Sequence, residues 1–334
     1  MPNIRYWAPA LASAFITVHA LAGTVGENFA VNPATRGWQI YGDTNAFTWD
    51  STNQNLRVTW DSSKPNSYFY RPLGTILARD DDFSVSFDLK FSDIVAGVNT
   101  NKPDALEVAL GFFNFAEATS GIVRGSPAFP PAYPDPKNLV EFDYFPFFID
   151  PIYGPFDPSI APTILSTNYN FDGAFGYYLT FTNGVAYHVQ MSYTSADSTL
   201  NTVITLPGQT NVLISAPVTV SGSNDFRVDT FSVSSYTDNG DPYDSLLAHG
   251  TVDNVVITTP PPPVQVVTGG FAGNAWQVQF GNRTNWLYTL QRTGDFQSWQ
   301  PASATVAGNG TVLSLTDTNA PATKAFYRVS AQRP

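Results

Sequence analysis

The chain has 334 residues, 43% of them hydrophobic and only 13% charged, a composition too apolar and too lightly charged for a disordered polymer. With 16 Lys and Arg against 27 Asp and Glu, the net charge of −11 works against a phosphate backbone, so no nucleic-acid partner is expected. Cysteine is absent, which removes disulfides, thiol catalysis and zinc–thiolate sites together.

Residues 1–22 read as a secretory signal. Arg5 supplies the positive start, Tyr6 to Val18 the apolar core, and Ala20-Leu21-Ala22 the small-residue cleavage pattern. An apolar core of 13 residues is short of the ~20 needed to span a bilayer. The expectation is a mature chain from Gly23, secreted or held in the cell envelope of a bacterium, with no membrane insertion after signal removal.

Strand signals fill residues 23–259, and no window sustains a helical period. Phe83, Val85, Phe87, Leu89 and Phe91 alternate with Ser84, Ser86, Asp88 and Lys90, the pattern of a half-buried antiparallel strand. Further strands are predicted at Leu56 to Trp60, Leu106 to Phe113, Leu139 to Phe145, Tyr177 to Phe181, Val185 to Tyr193, Thr199 to Leu206, Phe226 to Ser232 and Val252 to Thr258. Two proline-rich segments, Ser126 to Pro136 and Pro146 to Pro162, interrupt the rhythm, and their prolines argue against central strands. They read as long aromatic loops, either flanking a groove or covering a sheet edge. So many short strands between turns give the fold class: all-β, a large antiparallel jelly-roll sandwich followed by a small β-sandwich module.

The boundary is Pro260 to Pro263, a polyproline spacer that ends the first domain at 259. Beyond it, residues 264–334 hold strand candidates at Trp276 to Phe280, Trp286 to Gln291, Val312 to Leu315 and Ala325 to Val329. That pattern suits a small immunoglobulin- or fibronectin-like sandwich.

The strand around Asn138 to Pro146 concentrates the chemistry. Alternation puts Leu139, Glu141, Asp143 and Phe145 on one face, so two carboxylates lie side by side. Glu141-Phe142-Asp143 resembles the start of the catalytic strand of family 16 glycoside hydrolases, which share the concanavalin A-like jelly roll. The resemblance implies a nucleophile at Glu141 and a supporting residue at Asp143, but the acid/base position falls on Phe145 or Pro146. Retaining hydrolysis needs two carboxyls about 5–5.5 Å apart, one to attack and one to protonate the leaving oxygen. Neither phenylalanine nor proline can donate that proton, so no catalytic residue is assigned.

A second strand turns Tyr187, Val189, Met191 and Tyr193 to the core and leaves His188, Gln190 and Ser192 on the other face. In the superfamily that the chain resembles, a comparable strand crosses the concave face, which implies His188 and Gln190 as ligand-binding groups beside Glu141 and Asp143. Glu27-Asn28-Phe29 and Asp253-Asn254 resemble the terminal strand pair that holds a structural calcium in jelly-roll lectins, implying Glu27 and Asp253 as ligands, since Ca²⁺ takes hard oxygen donors. No organic cofactor is expected: phosphate-cradling glycine loops and a nucleophile elbow are missing. The last 50 or so residues, with Tyr288 to Trp299 and Phe326 to Val329, resemble a small immunoglobulin/fibronectin-like module appended to exported bacterial proteins.

These readings point first to a secreted or surface-exposed polysaccharide-binding protein with a glycan partner and no catalysis. A divergent hydrolase or lyase is the enzyme alternative; it needs another carboxylate near Glu141, from Glu107, Glu117 or Asp150. A structural or adhesive envelope protein is the third reading, and it requires that no carboxylate in the groove faces open solvent.

Overall fold

The computed structural model describes residues 23–96, 108–121, 137–150, 154–222, 224–237, 246–321 and 324–334. The signal-like segment, Glu107, the whole of Ser126 to Pro136 and the acidic stretch from Asp238 to Asp244 lie outside the described residues. Two compact units meet in sequence at Pro260 and Pro261.

The first unit contains β1 (Thr24–Glu27), β2 (Gln39–Tyr41), β3 (Phe47–Asp50), β4 (Asn55–Asp61), β5 (Ser67–Leu77), β6 (Phe83–Ala96), β7 (Val108–Phe113), the single-turn α1 (Phe115–Ala118) and β8 (Leu139–Phe145). It continues through β9 (Phe148–Asp150), β10 (Gly154–Phe156), β11 (Ser159–Leu165), β12 (Phe171–Gly173), β13 (Tyr177–Tyr178), β14 (Ala186–Thr194), β15 (Thr199–Thr205), β16 (Val212–Thr219), β17 (Val228–Ser235) and β18 (Leu246–Thr258). One sheet runs β16-β15-β14-β6-β18-β4-β3, with β1 added beside β18. The other runs β12-β11-β8-β7-β17-β5-β2, with β13 also on β11. All pairings are antiparallel, and neighbours distant in sequence show the crossed connections of a jelly roll.

Alternation builds the core. Val85, Phe87, Leu89 and Phe91 of β6 turn inward and meet Val140, Phe142 and Tyr144 of β8 from the facing sheet, all buried. Phe87 meets Phe142 edge-on at 5.8 Å and Phe91 stacks on Tyr144 at 5.6 Å. Each such pair adds about 0.5–1.5 kcal/mol beyond its area burial. Gly111 of β7 allows β8 a close approach: a Cβ there would stand 2.6 Å from the Glu141 Cα.

Three strands run through segments whose sequence argues against them. β5 contains Pro72 and Gly74, β16 contains Pro217, and β11 contains Pro162. The expectation that Pro146 to Pro162 holds no central strand is therefore corrected, since β11 lies inside the sheet between β8 and β12. β11 pairs with β8 along its whole length, including Pro162 with Phe142. Its other edge is covered only in part, by β12 opposite Thr163 to Leu165 and by β13 opposite Ser159 and Ile160. Pro162 falls between the two, where a missing N–H breaks no ladder.

The second unit has β19 (Val264–Ala272), β20 (Ala275–Asn282), β21 (Leu287–Thr293), β22 (Gln300–Pro301), β23 (Val306–Ala307), β24 (Val312–Asp317) and β25 (Phe326–Gln332). β19-β20-β24 form one small sheet, and β21 gathers β22, β23 and β25 into another. Trp276 stacks on Tyr327 at 5.0 Å, and the buried Asp317 carboxylate accepts from Arg292 Nη1 at 2.6 Å and from the Tyr327 hydroxyl at 3.0 Å.

Candidate functional site

Inward positions of the β8 sheet belong to the sandwich core, so Leu139, Glu141 and Asp143 turn to the sheet's outer face. The register sets that face out as rows. Glu141 lies opposite Gly111 on one side and Thr163 on the other, with Ser232 beyond Gly111 and Gly173 beyond Thr163. Asp143 lies opposite Ala109 and Ala161, with Ser234 beyond Ala109. Small residues thus form the floor around both carboxyl groups.

The floor is roofed. Glu141 and Asp143 each have 0% of their surface exposed. Tyr68, Tyr70, Phe113, Leu139, Leu165 and Tyr236 form a second apolar cluster on this face. The Tyr236 hydroxyl donates to Glu141 Oε1, and Ser232 and Ser234 join through their hydroxyls at 3.0 Å. Alternation located the two acids on one face; their complete burial is a tertiary outcome. Of the proposed partner carboxylates, Glu117 is held by Lys137 at 3.1 Å and by the Asn138 side-chain amide at 2.7 Å. Glu107 and the Asp150 side chain lie outside the described residues.

His188 and Gln190 are not part of this face. Their strand, β14, belongs to the opposite sheet, between β6 and β15, and both residues alternate with the inward Tyr187, Val189 and Met191. The expected four-residue site is corrected accordingly: two pairs stand on the outer faces of different sheets, with the sandwich core between them. Strand alternation predicts facing within one strand but not which sheet the strand joins. His188 Nδ1 lies 2.7 Å from Asp88 Oδ1, while Asn254 Nδ2 donates to Asp88 Oδ2 at 2.8 Å. Gln190 is exposed and reaches only Ser192, at 3.4 Å.

Glu27 and Asp253 also turn apart. Glu27 pairs with the inward Val255 and is 1% exposed. Asp253 follows the inward Val252 and precedes a bulge, at Asn254 with φ 50°, that restores Val255 to the core. Burial pushes the Asp253 carboxyl above its ordinary value; the Asn254 N–H works against this, and the Asp88 and Glu27 charges add to it. Glu27 Oε1 accepts the Phe29 N–H at 2.8 Å and meets Arg36 Nη1 at 3.3 Å. Calcium needs about six to eight oxygen ligands, and an adjacent guanidinium opposes a dication. Among the described residues no group of three or more acidic or histidine side chains could hold a metal. Glu27 and Asp253 do not fit a calcium shell.

A different feature appears along the edge of the β8 sheet. Phe171 lies opposite Leu165, and Tyr178 lies opposite Ser159; both β11 partners share the outer-face parity of Ala161 and Thr163. Phe171, Phe175 and Tyr178 are 45%, 65% and 66% exposed, an unusual state for large rings grouped together. Phe171 stacks on Phe175 at 5.7 Å with 17° between the planes. The ring also folds over Gly173, where a Cβ would stand 2.6 Å from Phe171 Cε1. With their partners Leu165 and Ser159 six residue steps apart along β11, Phe171 and Tyr178 mark out about 20 Å of edge. The sequence signal is four aromatics, Phe171, Phe175, Tyr177 and Tyr178, spaced by Asp, Gly and Ala in a segment too short to build a core face; the strand predicted at Tyr177 to Phe181 covers only its end, and β13 is the two residues Tyr177–Tyr178.

No family model matches the chain, and no curated protein matches it in sequence. Several solved structures are similar to it. Peanut lectin with a nine-residue peptide is 18% identical, with a TM-score of 0.42, covering 70% of this chain and 99% of that one. The Lotus tetragonolobus seed lectin is 12% identical, with a TM-score of 0.41 and coverages of 72% and 99%. Lectin I from Ulex europaeus, in complex with the methyl glycoside of α-L-fucose, is 16% identical, with a TM-score of 0.41 and coverages of 71% and 97%.

Proposed function

We propose that the chain is an exported, non-catalytic polysaccharide-binding protein whose first unit takes a glycan along the aromatic edge of the β8 sheet. The observation that carries this reading is the group of exposed rings, Phe171, Phe175 and Tyr178, along β12, β13 and the turn between them. Aromatic faces stack on the C–H faces of sugar rings, and an edge of about 20 Å between Phe171 and Tyr178 suits several sugar units rather than a single one. Non-catalytic action is supported by the burial of Glu141 and Asp143, which keeps both carboxyls from solvent, and by Phe145 standing where the proton donor would be.

The test is a polysaccharide pull-down with the full chain, assaying reducing-end release in the same wells. Binding without release, weakened about tenfold or more by Phe175→Ala or Tyr178→Ala with an unchanged melting midpoint, is the expected result. Release of reducing ends would return the site to the hydrolase reading. One observation favours a second reading, a structural envelope role: neither Glu141 nor Asp143 meets solvent. Absence of binding across a broad polysaccharide panel would select it.

A further inference from the structure

At one end of the sandwich, Glu27 of β1 and Arg71 of β5 both turn into the space between the sheets. Glu27 pairs with buried Val255, and Arg71 pairs with buried Phe231 and shares the parity of Phe69. Together with Thr24, Val25, Gly26 and Arg36 they line a cavity of about 360 Å³, within the usual range for small-molecule sites.

Two features of this cavity are unusual. Glu27 is 1% exposed, yet its Oε2 is buried without a hydrogen-bond partner, whereas buried carboxylate oxygens are nearly always satisfied. Arg71, partly buried, makes no hydrogen bond or ion pair among the described residues, although its guanidinium carries five donors. Arg36 is already committed to Glu27 Oε1 and to the Gly26 carbonyl, the latter at 2.8 Å. The cavity therefore presents one unsatisfied cation and one unsatisfied acceptor, with a balance of two positive charges to one negative.

That pairing selects a ligand chemistry. A metal ion or an amine would face Arg36 and Arg71 together. A bare dianion would face the Glu27 carboxylate with no proton to offer Oε2. A neutral sugar would leave the Arg71 fork unmatched. We infer that the cavity binds a hydroxylated carboxylate of the uronic-acid type, its carboxylate paired with Arg71 and one of its hydroxyls donating to Glu27 Oε2. Fork-to-carboxylate pairing is the geometry for which arginine is suited. The site is separate from the aromatic edge and does not rest on the reading given to that edge.

The experiment is isothermal titration of the full chain with D-glucuronate, with glucose and acetate as controls. Each control lacks one half of the recognised pair. Saturable glucuronate binding is expected, with at least about tenfold weaker binding of either control and a loss of about tenfold or more in Arg71→Ala. Arg71→Ala removes no protein hydrogen bond of the guanidinium but does remove the attraction of its charge for Glu27, so each variant is titrated below its own melting midpoint, and Arg71→Lys, which keeps the charge, should retain part of the affinity. Phe175→Ala should bind glucuronate as the parent does, so this site and the aromatic edge can fail separately. Glucuronate that does not saturate, binds equally to Arg71→Ala, or is matched by acetate or glucose would overturn the inference.

Discussion

Replacing Tyr236 by Phe tests whether Glu141 is a structural acid or a ligand-binding one. The substitution keeps the ring, which meets Tyr68 edge-on at 5.8 Å, and removes only the hydroxyl that donates to the wholly buried Glu141. A hydrogen bond to a charged group contributes about 1.5–3 kcal/mol net. In a unit of this size 1 kcal/mol moves the midpoint by about 2–4 °C, so a fall of about 3–12 °C is expected. Calorimetry on the full chain at neutral pH reads it. A double-mutant cycle with Glu141→Gln should return a coupling of about 1–3 kcal/mol, since the two side chains share one contact. Neither single variant should change polysaccharide affinity, because neither group reaches solvent. An unchanged midpoint in Tyr236→Phe, accompanied by a large loss of glycan affinity, would refute the reasoning and put Glu141 in contact with ligand.

Gly111→Ala should destabilise the first unit by at least about 1–3 kcal/mol. Its Cβ would stand 2.6 Å from Glu141 Cα and 2.9 Å from Cγ, backbone and near-backbone atoms that cannot step aside; an unchanged urea midpoint would show that β7 and β8 are not so closely paired. Asp82 and Asp253 should give opposite pH profiles. The Ser195 N–H and hydroxyl hold the Asp82 carboxyl below its ordinary 3.8, whereas burial holds Asp253 above it. The Asp82 contribution is therefore present at neutral pH and lost as pH falls below 3.8, while that of Asp253 is present below 3.8 and lost as pH rises through its folded value. Denaturant midpoints between about pH 3 and pH 7 should show Asp82→Asn costly only at the upper end and Asp253→Asn stabilising there. The same sign for both variants would contradict the assignment.

Much of the sandwich is legible because several of its strands are half-buried. β6 alternates from Phe83 to Phe91 and β14 throughout, so their inward sets, Phe83 to Phe91 and Tyr187 to Tyr193, follow from period two alone. The strands that escaped notice lack that alternation for identifiable reasons. β5 starts with four buried residues because both faces of its sheet are covered there, and it then meets Pro72 and Gly74. β11 is buried from Ile160 to Leu165 on both faces and carries Pro162 opposite a gap in its neighbours. A strand buried on both sides reads as an apolar run, and a proline then weighs against it. The site was less legible still. Glu141 with Asp143, and His188 with Gln190, were each correctly paired within a strand, but pairing between strands is a long-range property, and β14 joins β6 rather than the β8 sheet.

The burial of the acidic pair also bears on where the proposed glycan would bind. For Glu141 to bond a sugar hydroxyl, the hydrogen bond from Tyr236 would have to break and the apolar cover of Tyr68, Leu139, Leu165 and Tyr236 would have to lift, at a cost of the full desolvation and packing terms. Phe171, Phe175 and Tyr178 require no such opening: their rings already face water, and covering them with the apolar face of a sugar returns about 25 cal/mol for each Å² buried. Recognition at the edge therefore gains free energy from the first contact, whereas recognition at the acids begins with a penalty. The strand that carries Glu141 and Asp143 and the strands that present the exposed rings lie in one sheet, joined through β11. In this chain the buried Glu141 and Asp143 hold the floor on which the aromatic edge is set.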